Sequence, residues 1–132
     1  MTNLNITERQ NDSITILDLE GKIRLGEGSA ELHEALRLLV EKGKKKILLN
    51  LANVSYVDSS GLGELVSGYT TIHKAGGELK LFNLSGNVYD LMTMTKLLTV
   101  FDVYDNESEA IQSFTSTSAK SAYADSLMQK EG

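Results

Sequence analysis

A short apolar run at residues 47–51 limits the folds open to this chain more than any other feature. Its sequence, Ile-Leu-Leu-Asn-Leu, is typical of a strand that other elements cover on both faces. Apolar residues recur at helical spacing on both sides of this run, over residues 32–40 and again over residues 62–72. A buried strand between two amphipathic helices predicts an α/β fold in which residues 47–51 form the central strand.

The rest of the chain continues this alternation of strands and helices. Residues 4–8 and 14–19 predict an N-terminal pair of strands, because polar turn residues lie between them. The later predicted elements are a strand at 79–84, a short helix around 88–95, an edge strand at 99–104 and a final helix capped by Asp105 or Asn106. We therefore expect a mixed central β-sheet with helices packed on it.

Length and composition predict one domain followed by a tail. Residues 1–115 are enough to bury a core, whereas residues 116–132 are rich in Ser, Thr and Ala, a composition typical of a flexible segment. Within this tail, Tyr123, Leu127 and Met128 suit one turn of amphipathic helix that docks on the domain. Docking of the tail and its complete flexibility are both open at this point.

Composition also limits the partners and the compartment. The chain has no cysteine, which excludes disulfides and thiolate metal sites. Its formal net charge of −5 argues against direct binding to nucleic acid, and we interpret the basic run at 42–46 as a solvated turn. No segment approaches the roughly 20 apolar residues of a membrane span, and no leader pattern is present, so we expect a cytoplasmic protein.

The motifs give no support to enzymatic or cofactor chemistry. Ser59 lacks the preceding glycine of a nucleophile elbow, and the downstream His73 is expected about 20 Å away along the same helix. His33 and His73 have no partners at a metal-ligand spacing. The Gly-x-Gly pairs at 26–28 and 61–63 do not continue into a dinucleotide or phosphate-loop motif. We therefore predict no enzyme activity, no catalytic residue, no metal and no cofactor.

Residues 57–63, Val-Asp-Ser-Ser-Gly-Leu-Gly, stand where a strand is expected to end and a helix to begin. Asp58 suits the N-cap of that helix, and most residues after it are small. The first N–H groups of a helix lack partners and carry a partial positive charge, so a phosphoryl group on Ser59 or Ser60 is well tolerated there. Ordinary capping without further function explains the same residues, and the local sequence alone does not decide between the two.

With the three residues before them, these residues resemble the signature of the anti-sigma factor antagonist family, the bacterial branch of the STAS domains. The resemblance covers about residues 3–115 in order, and its further matching segments are 19–23, 47–51, 76–81 and 101–105. It implies the STAS fold, an α/β domain with a mixed central sheet.

The resemblance also implies a protein-binding switch. In the family, the unphosphorylated protein binds an anti-sigma factor that is also a serine kinase of the GHKL type, and a sigma factor is thereby released for transcription. The kinase phosphorylates the serine directly after the motif aspartate, which is Ser59 here, and a PP2C-type phosphatase restores the binding form. Ser60 is the competing acceptor, and Thr93 or Thr95 is an alternative second site.

We expect the partner-binding surface around the motif and in the loop that follows residue 23. Its candidate residues are Asp58, Ser60, Gly61, Leu62, Gly63 and Arg24. The family more often has Asp at position 24, which leaves the identity of the partner open, and it commonly has Gly in place of Lys96. The alternative function is a STAS scaffold or sensing module within a larger signalling or transporter-associated complex.

Overall fold

The apolar run at 47–51 lies in the middle of a five-stranded sheet in the computed structural model, which describes residues 4–115. The strands, in their order across the sheet, are β1 (Leu4–Asn11), β2 (Ile14–Ile23), β3 (Lys46–Val57), β4 (Glu78–Phe82) and β5 (Asp102–Tyr104). The helices are α1 (Glu27–Glu41), α2 (Ser59–Lys74), α3 (Gly86–Met94) and α4 (Glu107–Thr115), with a 3₁₀ turn at Leu97–Thr99. This confirms the predicted mixed α/β architecture. The predicted tail at 116–132, with the helical turn expected around Tyr123, lies outside the described residues.

The sheet is antiparallel on one side and parallel on the other. All eight residues of β1 pair antiparallel with β2, which confirms the predicted N-terminal pair. β2, β3, β4 and β5 run parallel to one another, and the pairing of β2 with β3 shifts register between Asp18 and Glu20. These two strands finish together, with Ile23 beside Val57. The segments that follow them therefore meet at one edge of the sheet, where ligands and partners of α/β folds commonly bind.

The helices divide the apolar residues between two cores. α1, α2 and α3 pack on one face of the sheet and, with alternate residues of the strands, form the larger core. α4 packs on the opposite face, where the smaller core consists of Ile14, Ile16, Leu48, Phe82, Ala110 and Phe114. β3 is consequently covered on both faces, as its apolar sequence predicts.

Cations hold α4 at both ends. At its N-terminus, the Arg9 guanidinium forms ion pairs with Glu107 (Nη2 to Oε1, 2.6 Å) and with Asp18 (Nε to Oδ2, 2.7 Å). Near its C-terminus, the fully buried ammonium group of Lys80 donates to Oγ of Ser113 at 2.9 Å and to its carbonyl oxygen at 3.3 Å. A positive charge at the last turn of a helix is favourable because the helix dipole is negative there.

The last strand is shorter than the sequence predicts. Of residues 99–104, only the final three form β5. The backbone N–H groups of Val100 and Phe101 donate to the carbonyl of Leu97, so they close a helical turn and do not pair with β4. Lys96 begins this turn in the left-handed conformation, with φ 63° and ψ 20°. Glycine adopts that conformation readily, which is consistent with the glycine that the family commonly has there.

Two further element ends are set by asparagines. β4 was expected to reach residue 84 but ends at Phe82, because Asn83 has a positive φ of 58° and the chain turns out of the sheet. Of the two predicted caps of α4, Asn106 takes the role, since its Oδ1 accepts the N–H of Glu109 at 2.9 Å.

Candidate functional site

Asp58 is the N-cap of α2, as predicted. Its backbone is extended (φ −98°, ψ −175°), and its Oδ1 accepts the N–H of Gly61 at 2.8 Å. Its carbonyl oxygen accepts the N–H of Leu62 at 2.8 Å, which is the first intrahelical bond of α2. Ser59 is therefore the first residue of the helix and follows the cap directly.

The second oxygen of the same carboxylate holds the loop between β2 and α1. Oδ2 of Asp58 accepts the backbone N–H of Leu25 at 3.0 Å, and the backbone N–H of Asp58 donates to the carbonyl of Ile23 at 3.2 Å. The N–H of Leu25, and after it that of Gly61, holds the pKa of Asp58 below its usual range, with a smaller effect from the positive charge of Arg24. The carboxylate is thus ionised at neutral pH and ties the loop to the start of α2.

Two glycines let α1 and α2 begin side by side against the end of β2. A Cβ atom at Gly61 would lie 2.0 Å from the carbonyl oxygen of Ile23, and one at Gly28 would lie 2.4 Å from that of Lys22. Any side chain at either position would push the helix away from the strand. The first turns of both helices, with the positive ends of their dipoles, therefore lie at the same edge of the sheet.

Ser59 and Ser60 have different surroundings. Ser59 is exposed, whereas Ser60 is partly buried and its hydroxyl lies 3.1 Å from the hydroxyl of the buried Ser29. Ser29 belongs to the first turn of α1, so this hydrogen bond joins the two helices. Ser59 consequently presents the accessible hydroxyl, while the hydroxyl of Ser60 takes part in helix packing.

The structure brings all the predicted site residues to this end of the sheet, but they differ in accessibility. Gly63 is exposed, and a Cβ atom there would meet no atom within 4 Å. Leu62 is partly buried against the larger core, and Gly61 is buried. Arg24 is partly buried in the loop. Gly61 and Leu62 therefore serve mainly the packing of α2, and the accessible surface is formed by their neighbours.

Sequence reasoning missed Leu25. Its side chain is 78% exposed although it is apolar, and its N–H is bound to Asp58. A leucine directly before Gly26, in a segment that matches no periodic pattern, was the one indication that the sequence offered. Its contact with Asp58 was not predictable, because it depends on how β2 and β3 align.

The alternative phosphoacceptors lie elsewhere in the fold. Thr93 and Thr95 are exposed at the C-terminal end of α3. Their hydroxyls donate to carbonyl groups one turn earlier, that of Thr93 to Tyr89 at 2.9 Å and that of Thr95 to Leu91 at 2.8 Å. Neither threonine adjoins the cap of α2.

Both histidines make contacts typical of helix surfaces. Nδ1 of His33 lies 3.0 Å from Oε2 of Glu64, and the ring of His73 stacks on that of Tyr69 with 5.9 Å between ring centres. Within residues 4–115, no three His, Cys, Asp or Glu side chains are grouped in a way that could hold a metal ion. In the same range, no helix combines the length and the apolar character that crossing a membrane requires.

Comparison with known proteins identifies the family. Residues 5–110 match the family model described as STAS domain. The anti-sigma-B factor antagonist of Bacillus subtilis (strain 168) is 33% identical over 110 residues, which are 83% of this chain and 99% of that protein. Among solved structures, an anti-sigma factor antagonist from Mycobacterium paratuberculosis has a TM-score of 0.75 at 18% identity, over 83% of this chain and 92% of that chain.

A further similar fold is that of the Bacillus cell fate determinant SpoIIAA in its phosphorylated form. It has a TM-score of 0.65 at 18% identity, over 83% of this chain and 99% of that chain. The family match covers almost the whole described domain, and the similarity to the Bacillus subtilis protein covers nearly all of that protein. This chain therefore belongs to the STAS-domain family, in the branch of the anti-sigma factor antagonists.

Proposed function

We propose that this protein binds an anti-sigma factor while Ser59 is unphosphorylated and releases it once Ser59 is phosphorylated. The observation that carries the proposal is the exposed hydroxyl of Ser59, one residue after the N-cap Asp58. Two comparisons support it, since the Bacillus subtilis relative is named an anti-sigma-B factor antagonist and SpoIIAA has been solved in a phosphorylated form. Accessibility favours Ser59 over Ser60 as the acceptor, because the hydroxyl of Ser60 lies against that of Ser29.

The proposed switch acts through charge. A phosphoryl group on Ser59 adds about −1.5 to −2 charges at neutral pH. In the free protein this charge lies in water at the positive end of α2, so the folded domain tolerates it. In a complex the same charge loses its water, and its repulsion by the neighbouring ionised carboxylate of Asp58 is no longer screened. Each loss of about 1.4 kcal/mol lowers the affinity tenfold, so a penalty of a few kcal/mol is enough to separate the partners.

The partners follow from the family resemblance. We propose an anti-sigma factor with GHKL-type serine kinase activity as the binding partner and a PP2C-type phosphatase as the enzyme that removes the phosphate. In this scheme the protein supplies the acceptor hydroxyl and the binding surface, and the catalytic groups belong to the kinase and the phosphatase. Because the freed sigma factor acts in transcription, we propose a cytoplasmic location.

Mass spectrometry after incubation with a candidate GHKL kinase and ATP tests the acceptor. We expect one phosphoryl group on the wild-type protein and on Ser60→Ala, which serves as the matched control, and none on Ser59→Ala. A phosphoryl group that persists in Ser59→Ala would overturn the assignment to Ser59.

Binding measurements with the same kinase test the switch. We expect Ser59→Asp to abolish the complex and Ser59→Ala to bind in the presence of ATP without being released. Equal binding of the wild type and both variants would refute the switch and favour the alternative scaffold function.

A further inference from the structure

Leu25 is an apolar side chain placed in water beside the proposed phosphoacceptor. It is 78% exposed, and its backbone N–H is bonded to Asp58, the residue directly before Ser59. Leu25 is thus a large exposed apolar side chain whose backbone is tied to the start of α2.

The backbone of the loop around Leu25 is fixed at three consecutive residues. The carbonyl of Arg24 accepts the N–H of Ser29 at 2.9 Å, and the carbonyl of Gly26 accepts the N–H of Ala30 at 3.0 Å. Between them, the N–H of Leu25 donates to the carboxylate of Asp58 at 3.0 Å. Gly26 itself has a φ of 101°, which a residue with a side chain rarely adopts. The backbone of this loop thus has little conformational freedom left to lose when a partner binds, so the point from which the Leu25 side chain projects is preorganised.

We propose that Leu25 is the apolar anchor of the partner interface and inserts into an apolar pocket on the anti-sigma factor. The inference rests on the proposed function and adds to it the chemistry of the partner surface. Single exposed apolar residues are common on proteins. This one differs because hydrogen bonds to three consecutive main-chain groups hold its loop, and because one of them joins it to Asp58, the residue directly before Ser59.

An apolar anchor at this position would also strengthen the proposed switch. When Leu25 enters an apolar pocket, water leaves the surroundings of Ser59 as well. A phosphoryl group there would then lose its water while it stands beside the carboxylate of Asp58, and the cost of burying an ion is far larger in such a site than at a wet rim. Ser59 phosphorylation and the Leu25 contact therefore oppose each other directly.

The test compares two exposed apolar residues. Leu25→Ser removes the proposed anchor, and Met94→Ser is the matched control, since Met94 is 80% exposed at the far end of α3. The probe is the purified kinase that phosphorylates Ser59, with the full-length unphosphorylated protein and no ATP. We expect Leu25→Ser to weaken binding about ten- to a hundredfold and Met94→Ser to change it by less than about twofold.

Two further measurements keep the outcome interpretable. Thermal unfolding should give the same midpoint for Leu25→Ser and wild type, because an exposed side chain adds little to stability. Methyl NMR of the wild-type complex should show that the Leu25 methyl groups become protected from a soluble paramagnetic probe. Methyl groups that stay accessible in the complex would overturn the anchor even if Leu25→Ser binds weakly.

The inference and the function on which it rests can fail separately. Wild-type affinity in Leu25→Ser, together with loss of binding in Ser59→Asp, would refute the anchor and leave the switch intact. Failure of the wild-type protein to bind any kinase that phosphorylates it would refute both.

Discussion

The carboxylate of Asp58 accepts the backbone N–H of Leu25 at 3.0 Å, although the two residues are 33 positions apart in the chain. Its other oxygen accepts the N–H of Gly61 at 2.8 Å. One ionised side chain thus fixes the first turn of α2 and also the loop that leads into α1.

Replacement of this carboxylate should affect both structures at once. We expect Asp58→Ala to lower the unfolding midpoint and to increase hydrogen exchange at the amides of both Leu25 and Gly61, because each loses its acceptor. Asp58→Asn keeps one carbonyl oxygen and should retain protection at only one of the two amides. Thermal unfolding and amide exchange by NMR measure these effects. Unchanged protection at Leu25 in Asp58→Ala would contradict the shared role.

Stability in acid should depend on Arg9. Its hydrogen bonds hold the pKa values of Asp18 and Glu107 below their ordinary values of 3.8 and 4.5. The unfolded chain therefore takes up protons at a higher pH than the folded one, so this stabilisation is present above about pH 5 and is lost as the pH falls through the lowered values.

Arg9→Met should consequently flatten the acid side of the stability profile. We expect its free energy of unfolding in urea to fall less between about pH 5 and pH 3 than that of the wild type. An equally steep fall in both proteins would show that Arg9 does not lower the pKa values of these two carboxyl groups.

Removal of Lys80 and removal of the Ser113 hydroxyl from their buried contact should cost different amounts of stability. Ser113→Ala deprives the fully buried Lys80 ammonium group of an acceptor at 2.9 Å, and such a loss costs about 1–3 kcal/mol. Lys80→Met removes the buried charge itself and fills similar space, so its cost should be smaller. Urea unfolding of the two variants gives the comparison, and a larger cost for Lys80→Met would contradict this explanation.

Replacement of Gly61 or Gly63 of α2 by alanine should change the stability of the fold in opposite directions. Gly61→Ala places a Cβ atom 2.0 Å from the carbonyl oxygen of Ile23 and should destabilise the fold by about 1–3 kcal/mol. Gly63→Ala meets no atom within 4 Å and should stabilise it by about 0.5–1 kcal/mol, because alanine favours the helix. Chemical denaturation checks both signs, and the same sign for both variants would refute the argument.

The protein should be more stable with glycine in place of Lys96. Its φ of 63° lies in the left-handed region, which costs most side-chain-bearing residues about 1–2 kcal/mol. We expect Lys96→Gly to raise the free energy of unfolding by about 0.5–1 kcal/mol. Lys96→Ala is the control and should give no gain, since alanine keeps the strain. Equal stability of both variants would place the effect in the lysine side chain and not in the backbone.

Sequence reasoning succeeded where a contact spans only a few residues. The cap formed by Asp58 joins atoms three residues apart, so its residue types and their spacing were sufficient to predict it. The central strand was predictable for a related reason, since an apolar run without alternation requires cover on both faces. The family resemblance then indicated Ser59 as the acceptor, a choice between Ser59 and Ser60 that the local pattern left open.

The missed features depend on tertiary alignment or on unmarked backbone conformations. The Leu25 bond forms only because β2 and β3 end together, with Ile23 beside Val57. The early end of β4 and the short β5 follow from left-handed residues, Asn83 and Lys96, neither of which is a glycine. The different roles of Ser59 and Ser60 likewise required the position of α1, because Ser29 lies on that helix.

The loop before α1 contributes three main-chain groups to the hydrogen bonds that hold it: the carbonyl of Arg24, the N–H of Leu25 and the carbonyl of Gly26. Nearly any residue supplies the first two groups equally well. The exposed side chain at position 25 can therefore be exchanged without rebuilding the scaffold. Such an exchange changes the shape that a partner must match, while the helix start that receives the proposed modification keeps its geometry.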